Sequence, residues 1–375
     1  MNNKICSIVL TKWGLSMREG TVQGWLKEEG SQINIGDPLV EIETEKIVNE
    51  YESPEAGKLR KIISQQGEKL PIGSLIAVLA EDDVSDAEIN NYINSFQKKF
   101  SETLSIESIK EGINGENIKI EGKIIHFLKA GHNDENIILF IHGFGADLNT
   151  WAFNQGVLSE KYTTYSIDLP GHGGSYKNIN ESNIESFSKL VTDFCKARKI
   201  SNIHLVGQSM GGGISLSIAL KYPDLVKSLT LICPTNLGNE INIEYINGFI
   251  NSEKRKEIKP YLEKLFYNSE NITRDMINEV LKNKRMDGAK EALQKIALSF
   301  FSNGNQNLIL KKDLNKLNQK CVLIWGKNDN IIPFEHSNDV SSSIEIHLID
   351  NAGHMAHVEQ SAKVNEIIKK VINSR

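Results

Sequence analysis

Residues 19–43, EGTVQGWLKEEGSQINIGDPLVEIE, return at 56–80 as AGKLRKIISQQGEKLPIGSLIAVLA. The offset is a constant 37: Gly20, Gly30 and Gly36 fall on Gly57, Gly67 and Gly73, and Ile35 falls on Ile72. Both copies read as strand, glycine-marked turn, short link and strand. Chance similarity between two β-rich stretches would not register three glycines. Such a repeat predicts a small all-β sandwich whose two halves are related by a pseudo-twofold axis. Lys46 falls between the halves, at the turn joining LVEIE to IVNEYES.

The pattern changes twice further on. Residues 81–115 are polar, acidic at their start and weakly periodic; they read as a linker carrying one helix. From 116 to 375, apolar strand-like runs recur: IIHFLKA, NIILFIHG, TTYSIDLP, NIHLVGQS, VKSLTLICP, KCVLIWGK and IEIHLID. Helical stretches separate most of them. Runs that are apolar throughout, with helices between, predict a mostly parallel sheet covered on both faces. Residues 240–305 break the alternation: they read as helical, with no strand, and predict a cap over the carboxyl edge of the sheet, where ligands bind. The expected architecture is therefore multidomain, with a β module at 1–80, a linker at 81–115 and an α/β domain at 116–375.

HLVGQSMGGGIS places Gly207-Gln208-Ser209-Met210-Gly211 after an apolar strand and before a helix. A bare G-x-S-x-G is a weak signal; in strand–turn–helix context it marks a turn that exposes a nucleophilic hydroxyl. A serine needs a base, and in this architecture acid and base follow it in the order Ser, acid, His, each after a later strand. Asp329 in VLIWGKNDNIIP and His354 in EIHLIDNAGHMAHVE fit that order. Asp168 in DLPGHG also follows a strand but precedes the serine, so chain order favours Asp329. Asp350 and His357 lie close to His354. HMAH lacks the i, i+4 spacing and the glutamate of a helical metal pair, so His357 reads as a structural or pocket histidine and no metal is expected. LFIHGFGADLNTW, after another strand, supplies the other half of an oxyanion hole: the N–H groups of Phe144 and Met210 are the expected donors, with His142 as a loop brace.

Composition excludes other classes. Apolar residues make up 39% and charged residues 24%, ordinary for a globular protein, and the net charge of -5 argues against nucleic acid as a partner. GQSMGGG is not G-x-G-x-x-G, and neither a P-loop nor a zinc-type Cys/His array occurs in the sequence. Cys6, Cys195, Cys233 and Cys321 are widely spaced, the amino terminus lacks a signal-peptide pattern, and no run of about 18 apolar residues occurs. A cytoplasmic location and no membrane association are expected.

The last two thirds resemble an α/β-hydrolase, through the elbow, the HGFG loop, DLPGHGGS, GKNDNIIP and NAGHMAHVE. The first 80 residues resemble a lipoyl carrier domain, through KWGLSMREGTVQGWLKEEGSQINIGDPLVEIETEKI. In that family the lysine at the hairpin tip receives lipoate in amide linkage, which implies Lys46 here. Biotin carriers have Met-Lys-Met at the tip, whereas Lys46 is flanked by Glu45 and Ile47. The pairing of the two domains resembles the dihydrolipoyllysine-residue acetyltransferase (E2) components of acetoin dehydrogenase complexes. That resemblance implies coenzyme A as co-substrate, and a thiamine-diphosphate-dependent acetoin dehydrogenase E1 and a dihydrolipoyl dehydrogenase E3 as partners. The His-x-x-x-Asp-Gly motif of 2-oxoacid dehydrogenase acetyltransferases is absent from the sequence. Two other readings stay open at this level: a serine hydrolase (esterase, thioesterase or carbon–carbon bond hydrolase) carrying a lipoyl domain, and a non-catalytic carrier with a scaffold α/β domain.

Overall fold

The computed structural model describes residues 5–10, 19–43, 48–112, 115–133 and 135–374. Two compact units meet in the chain between Ser108 and Ile109.

The first unit carries β1 (Ile5–Val9), β2 (Glu19–Trp25), β3 (Gln32–Ile33), β4 (Pro38–Glu43), β5 (Val48–Glu52), β6 (Gly57–Ile62), β7 (Lys69–Pro71) and β8 (Leu75–Ala80). They form two four-stranded sheets, β1-β8-β6-β3 and β5-β4-β2-β7. Adding 37 to β2, β3 and β4 lands on β6, β7 and β8, so each sheet takes two strands from one half and a short strand from the other. The repeat extends to single hydrogen bonds. Gly30 N–H donates to Leu59 O and Gly67 N–H to Val22 O, each at 2.7 Å. Gly30, Gly36, Gly67 and Gly73 all have φ between 81° and 95°, the left-handed region that costs glycine least. Ile8, Val22, Ile33, Leu39, Val40, Ile42, Leu59 and Ile76 are buried between the sheets.

Helix α1 (Asp86–Gly112) occupies most of the segment read as a linker. Ile89 and Ile93 on its first turns pack with Leu75, Val78 and Ala80 of β8. Arg60 Nη1 donates to Glu81 O at 2.8 Å, and its Nη2 pairs with Asp86 at 2.8 Å, tying the start of the segment to β6. The start of this segment therefore belongs to the β unit, and among the described residues the first turns of α1 cover the sheet that contains β8.

The second unit begins with β9 (Glu116–Ile120), β10 (Lys123–Ala130) and β11 (Ile137–Ile141). It continues through α2 (Ala152–Leu158), β12 (Thr163–Ile167), α3 (Ile184–Ala197), β13 (Ile203–Gln208), α4 (Met210–Lys221) and β14 (Val226–Ile232). Then come α5 (Ile243–Asn251), α6 (Arg255–Glu263), α7 (Arg274–Lys284) and α8 (Ala289–Phe300), followed by a hairpin of β15 (Phe301–Ser302) and β16 (Asn305–Gln306). The chain closes with β17 (Lys320–Gly326), β18 (Glu345–Ile349), α9 (Ala356–Glu359) and α10 (Ser361–Asn373). The sheet order is β18-β17-β14-β13-β11-β12-β10-β9, antiparallel at β10 and parallel elsewhere. Strands β11, β12 and β13 are buried along their whole length, as a sheet covered on both faces requires. Helices α3 and α4 pack together, as do α2 and α10.

Two details differ from the sequence reading. Strand β9, ENIKI, is an edge strand paired only with β10 among the described residues, and its half-exposed polar sequence does not stand out as a strand. The cap segment, read as strandless, ends in the two-residue strands β15 and β16, too short to leave a period-2 signature. Among the described residues, no helix is long and apolar enough to cross a membrane.

Candidate active site

The sheet brings the site loops together through its connectivity. From β11 the chain passes to β12 on one side, then returns to β13 on the other. The loops leaving β11 and β13 diverge at that switch point, the usual crevice for ligands in an open α/β sheet. The first carries Phe144 and the second Ser209.

Ser209 joins β13 to α4 with φ 54° and ψ -120°, a strained conformation for a residue with a side chain. Its flanking glycines are needed for space rather than for a left-handed turn. A Cβ on Gly207 would come within 2.3 Å of Gly211 O, and one on Gly211 within 2.2 Å of Ile141 O. The strain is held by backbone bonds: Ser209 N–H donates to Ile232 O at 2.9 Å, and Ser209 O accepts from Gly212 and Thr235 N–H at 2.9 and 3.0 Å. Ser209 itself is 6% exposed.

Asp329 and His354 come from the ends of β17 and β18. Asp329 Oδ1 accepts from the N–H groups of Ile331 and Ile332 at 2.8 and 3.0 Å. Its Oδ2 accepts from Trp325 Nε1 at 3.1 Å and lies 2.8 Å from His354 Nδ1. A carboxylate at Nδ1 leaves Nε2 as the basic nitrogen. Gln208, next to the serine, donates through Nε2 to His354 O at 3.2 Å and so ties the histidine loop to the elbow. Glu359 accepts from Gly353 N–H at 2.7 Å and from Tyr267 N–H at 2.9 Å, fixing the same loop from the cap side.

The Phe144 loop lies against the serine: a Cβ on Gly143 would come within 3.0 Å of Ser209 Cβ. Among the described residues, the N–H groups of Phe144 and Met210 have no hydrogen-bond partner. His142 braces this loop as expected. Its Nε2 accepts from Leu169 N–H at 3.0 Å and its Nδ1 donates to Gly143 O at 2.8 Å, so it is neutral; burial pushes its pKa down. His172 holds the next turn by accepting from Gly145 N–H at 3.1 Å, and burial lowers its pKa to about 3.

The competing residues are occupied elsewhere. Asp168 faces His126 Nδ1 at 2.7 Å and accepts from Leu148 N–H at 2.7 Å; the contact with Asp168 raises the pKa of His126. Asp350 is exposed and pairs with Lys327 at 2.7 Å, which lowers its pKa. His357 is fully buried against Trp151, ring centroids 4.5 Å apart, and burial lowers its pKa to about 3.

One neighbour left no sequence signal. Cys233, at the end of β14, brings its sulfur into a group with Asp329 and His354 in which the donor atoms lie within 4.8 Å of one another. Burial, then the Asp329 charge, pushes its thiol well up, so it stays protonated beside the acid. Lys46 lies outside the described residues, between the paired ends Glu43 and Val48 of β4 and β5.

This sheet, elbow and cap define an α/β-hydrolase, and residues 136–361 match the family described as alpha/beta hydrolase fold. Residues 7–79 match the family described as biotin-requiring enzyme. Relatives are similar over both units. A dihydrolipoyllysine-residue acetyltransferase component of an acetoin cleaving system from Cupriavidus necator is 36% identical over 98% of this chain and 97% of its own. One of the same description from Pseudomonas putida is 34% identical over 97% of each. The chain belongs to this family of acetyltransferase components. Among solved structures, the meta-cleavage product hydrolase CumD of Pseudomonas fluorescens aligns with TM-score 0.63 at 19% identity, over 69% of this chain and 97% of its own, a likeness of fold.

Proposed function

We infer that the protein transfers an acetyl group from S-acetyldihydrolipoyl-lysine to coenzyme A as the acetyltransferase component of an acetoin cleaving system. The observation that carries this reading is the family match over both units, in the order carrier then hydrolase fold.

Lys46 would hold lipoate in amide linkage; residues 44–47 join two strands whose last pair is Glu43 with Val48, which fits a carrier lysine on a hairpin connection. Lipoate supplies the thiol that carries the acetyl group as a thioester. In this reading Ser209 Oγ attacks the thioester carbonyl while His354 Nε2 takes its proton. Asp329 holds the other imidazole nitrogen and stabilises the charge that develops on the ring. The N–H groups of Phe144 and Met210 receive the oxyanion, each donor contributing about 3 kcal/mol. His354 then protonates the departing thiol. The coenzyme A thiol attacks the acetyl-serine, His354 relays its proton to Ser209 Oγ, and acetyl-coenzyme A leaves.

The partners in this reading are a thiamine-diphosphate-dependent acetoin dehydrogenase E1, which loads acetyl groups, and a dihydrolipoyl dehydrogenase E3, which reoxidises the dithiol. We place the protein in the cytoplasm, in keeping with four free cysteines, three of them buried.

Intact mass measurement of protein from a lipoate-competent host tests the carrier. A lipoyl increment that disappears in Lys46→Arg is the expected result; its persistence would refute the assignment. Incubating the acetylated protein with and without coenzyme A tests the acceptor. Acetate release indifferent to coenzyme A would support a hydrolase instead.

A further inference from the structure

The cap grips the oxyanion loop through two neighbouring residues at the end of α7. The Asn283 amide donates to Asp147 Oδ2. The other Asp147 oxygen accepts from Asn149 N–H at 2.8 Å and caps the 3-10 turn that follows the loop. Lys284 donates to the carbonyls of Phe249 and Ser252, which end α5. Its ammonium lies 5.1 Å from the Phe249 ring centroid. Phe249 in turn lies on the loop. Its ring meets Phe144 edge-on at 6.1 Å, and a Cβ on Gly145 would come within 2.4 Å of it. The crevice where Gly145 and His172 face Asn283 and Lys284 has a volume of about 10 Å³, room for about one water.

We propose that Asn283 is a specificity-determining residue: by clasping Asp147 it holds the cap shut on the oxyanion loop and so decides whether acetyl-Ser209 passes to a thiol or to water. The proposal rests on the acetyl-transfer reading. Either acceptor breaks the same bond, between the acetyl carbon and Ser209 Oγ, and forms a C–S or a C–O bond. In both cases the acceptor's proton travels through His354 to Ser209 Oγ. Base and oxyanion donors are shared, so they cannot discriminate. The difference is access, because water is always abundant and the thiol acts only where water is kept out. Asn283 sits outside the acid–base machinery, on a cap helix whose end reaches Asp147 just past the loop bearing the Phe144 donor. One hydrogen bond to a carboxylate is enough to move a closed-to-open ratio by about tenfold or more.

The test uses the full-length protein, acetyl-dihydrolipoamide as donor and saturating coenzyme A, and reads the ratio of acetate to acetyl-coenzyme A. Asn283→Asp sets two carboxylates face to face and should raise that ratio by about tenfold. Combining it with Asp147→Asn rebuilds the bond with donor and acceptor exchanged, while asparagine still caps the 3-10 turn. The double variant should return to within about twofold of the parent. A merely structural role would lower the thermal midpoint without changing the partition. An unchanged ratio in Asn283→Asp, or a double variant as leaky as the single one, would overturn the proposal. Should the parent form no acetyl-coenzyme A, the acetyl-transfer reading fails. The clasp is then judged by hydrogen exchange at amides 143–148, which must quicken in Asn283→Asp and recover in the double variant.

Discussion

The two units encode their folds differently. The β unit is written twice: two copies at a 37-residue offset give equivalent strands, equivalent left-handed glycines and paired hydrogen bonds. The α/β unit is written once, and its site is spread over loops that start at 142 and end at 354. Where the repeat fails is informative. β4 reads PLVEIE and its counterpart β8 reads LIAVLA, so Glu41 and Glu43 are matched by Val78 and Ala80. Glu43 is exposed, whereas Val78 and Ala80 are buried under α1. A symmetric module becomes asymmetric because one of its sheets acquires a helical cover.

The sharpest way to break the comparison is to disable one unit and leave the other whole. Ser209→Ala should reduce acetyl-coenzyme A formation by about 10⁶-fold while leaving the lipoyl mass increment in place. A rate within tenfold of the parent would remove the serine from the mechanism and favour the scaffold reading. Asp329→Asn should cost about 10⁴-fold, because an amide at Oδ2 no longer favours the tautomer with the proton on Nδ1; steady-state rates with unchanged near-UV dichroism check it.

Acid should separate the units next. All nine histidines lie in the second unit and none in the first. Burial holds the folded pKa of His172 and His357 to about 3 and that of His204 to about 4. An unfolded histidine titrates near 6.5, so below that pH the unfolded chain binds more protons and stability falls. Below about 6.5 each such histidine contributes a slope of about 1.4 kcal/mol per pH unit, whereas His126, whose pKa is raised beside Asp168, gains its stabilisation as pH falls toward about 6.5 and adds no slope below it. Hydrogen exchange between pH 7 and 5 should show β13 amides losing protection ahead of β8 amides; equal loss in both would contradict this account.

The smallest effect tests the broken symmetry. Ile89→Ala should loosen α1 from β8 at a cost of about 2–4 kcal/mol, visible as faster exchange in β8 and not in its counterpart β4. Equal acceleration in both strands would mean that the helix stabilises the whole sandwich rather than one sheet.

Much of this was legible in the residues. Periodicity, registered glycines and apolar runs are local signals, and each follows from the chain's own geometry, so the two-part architecture, the cap and the Ser209 elbow could be read in advance. The polar edge strand β9 and the cover formed by α1 could not: a half-exposed strand carries little apolar signal, and a helix on a sheet is a contact between distant residues. The same limit applies at the site. Chain order nominates Asp329 over Asp168, but only the fold shows Asp168 committed to His126 and Leu148, Cys233 lodged beside the acid, and Asn283 reaching Asp147 across 136 residues. Sequence alone determined which strands and turns can form, because backbone preference and side-chain pattern act over a few residues. Tertiary structure decided which side chains meet, because hydrogen bonds and burial depend on distances in space that no spacing in the chain records.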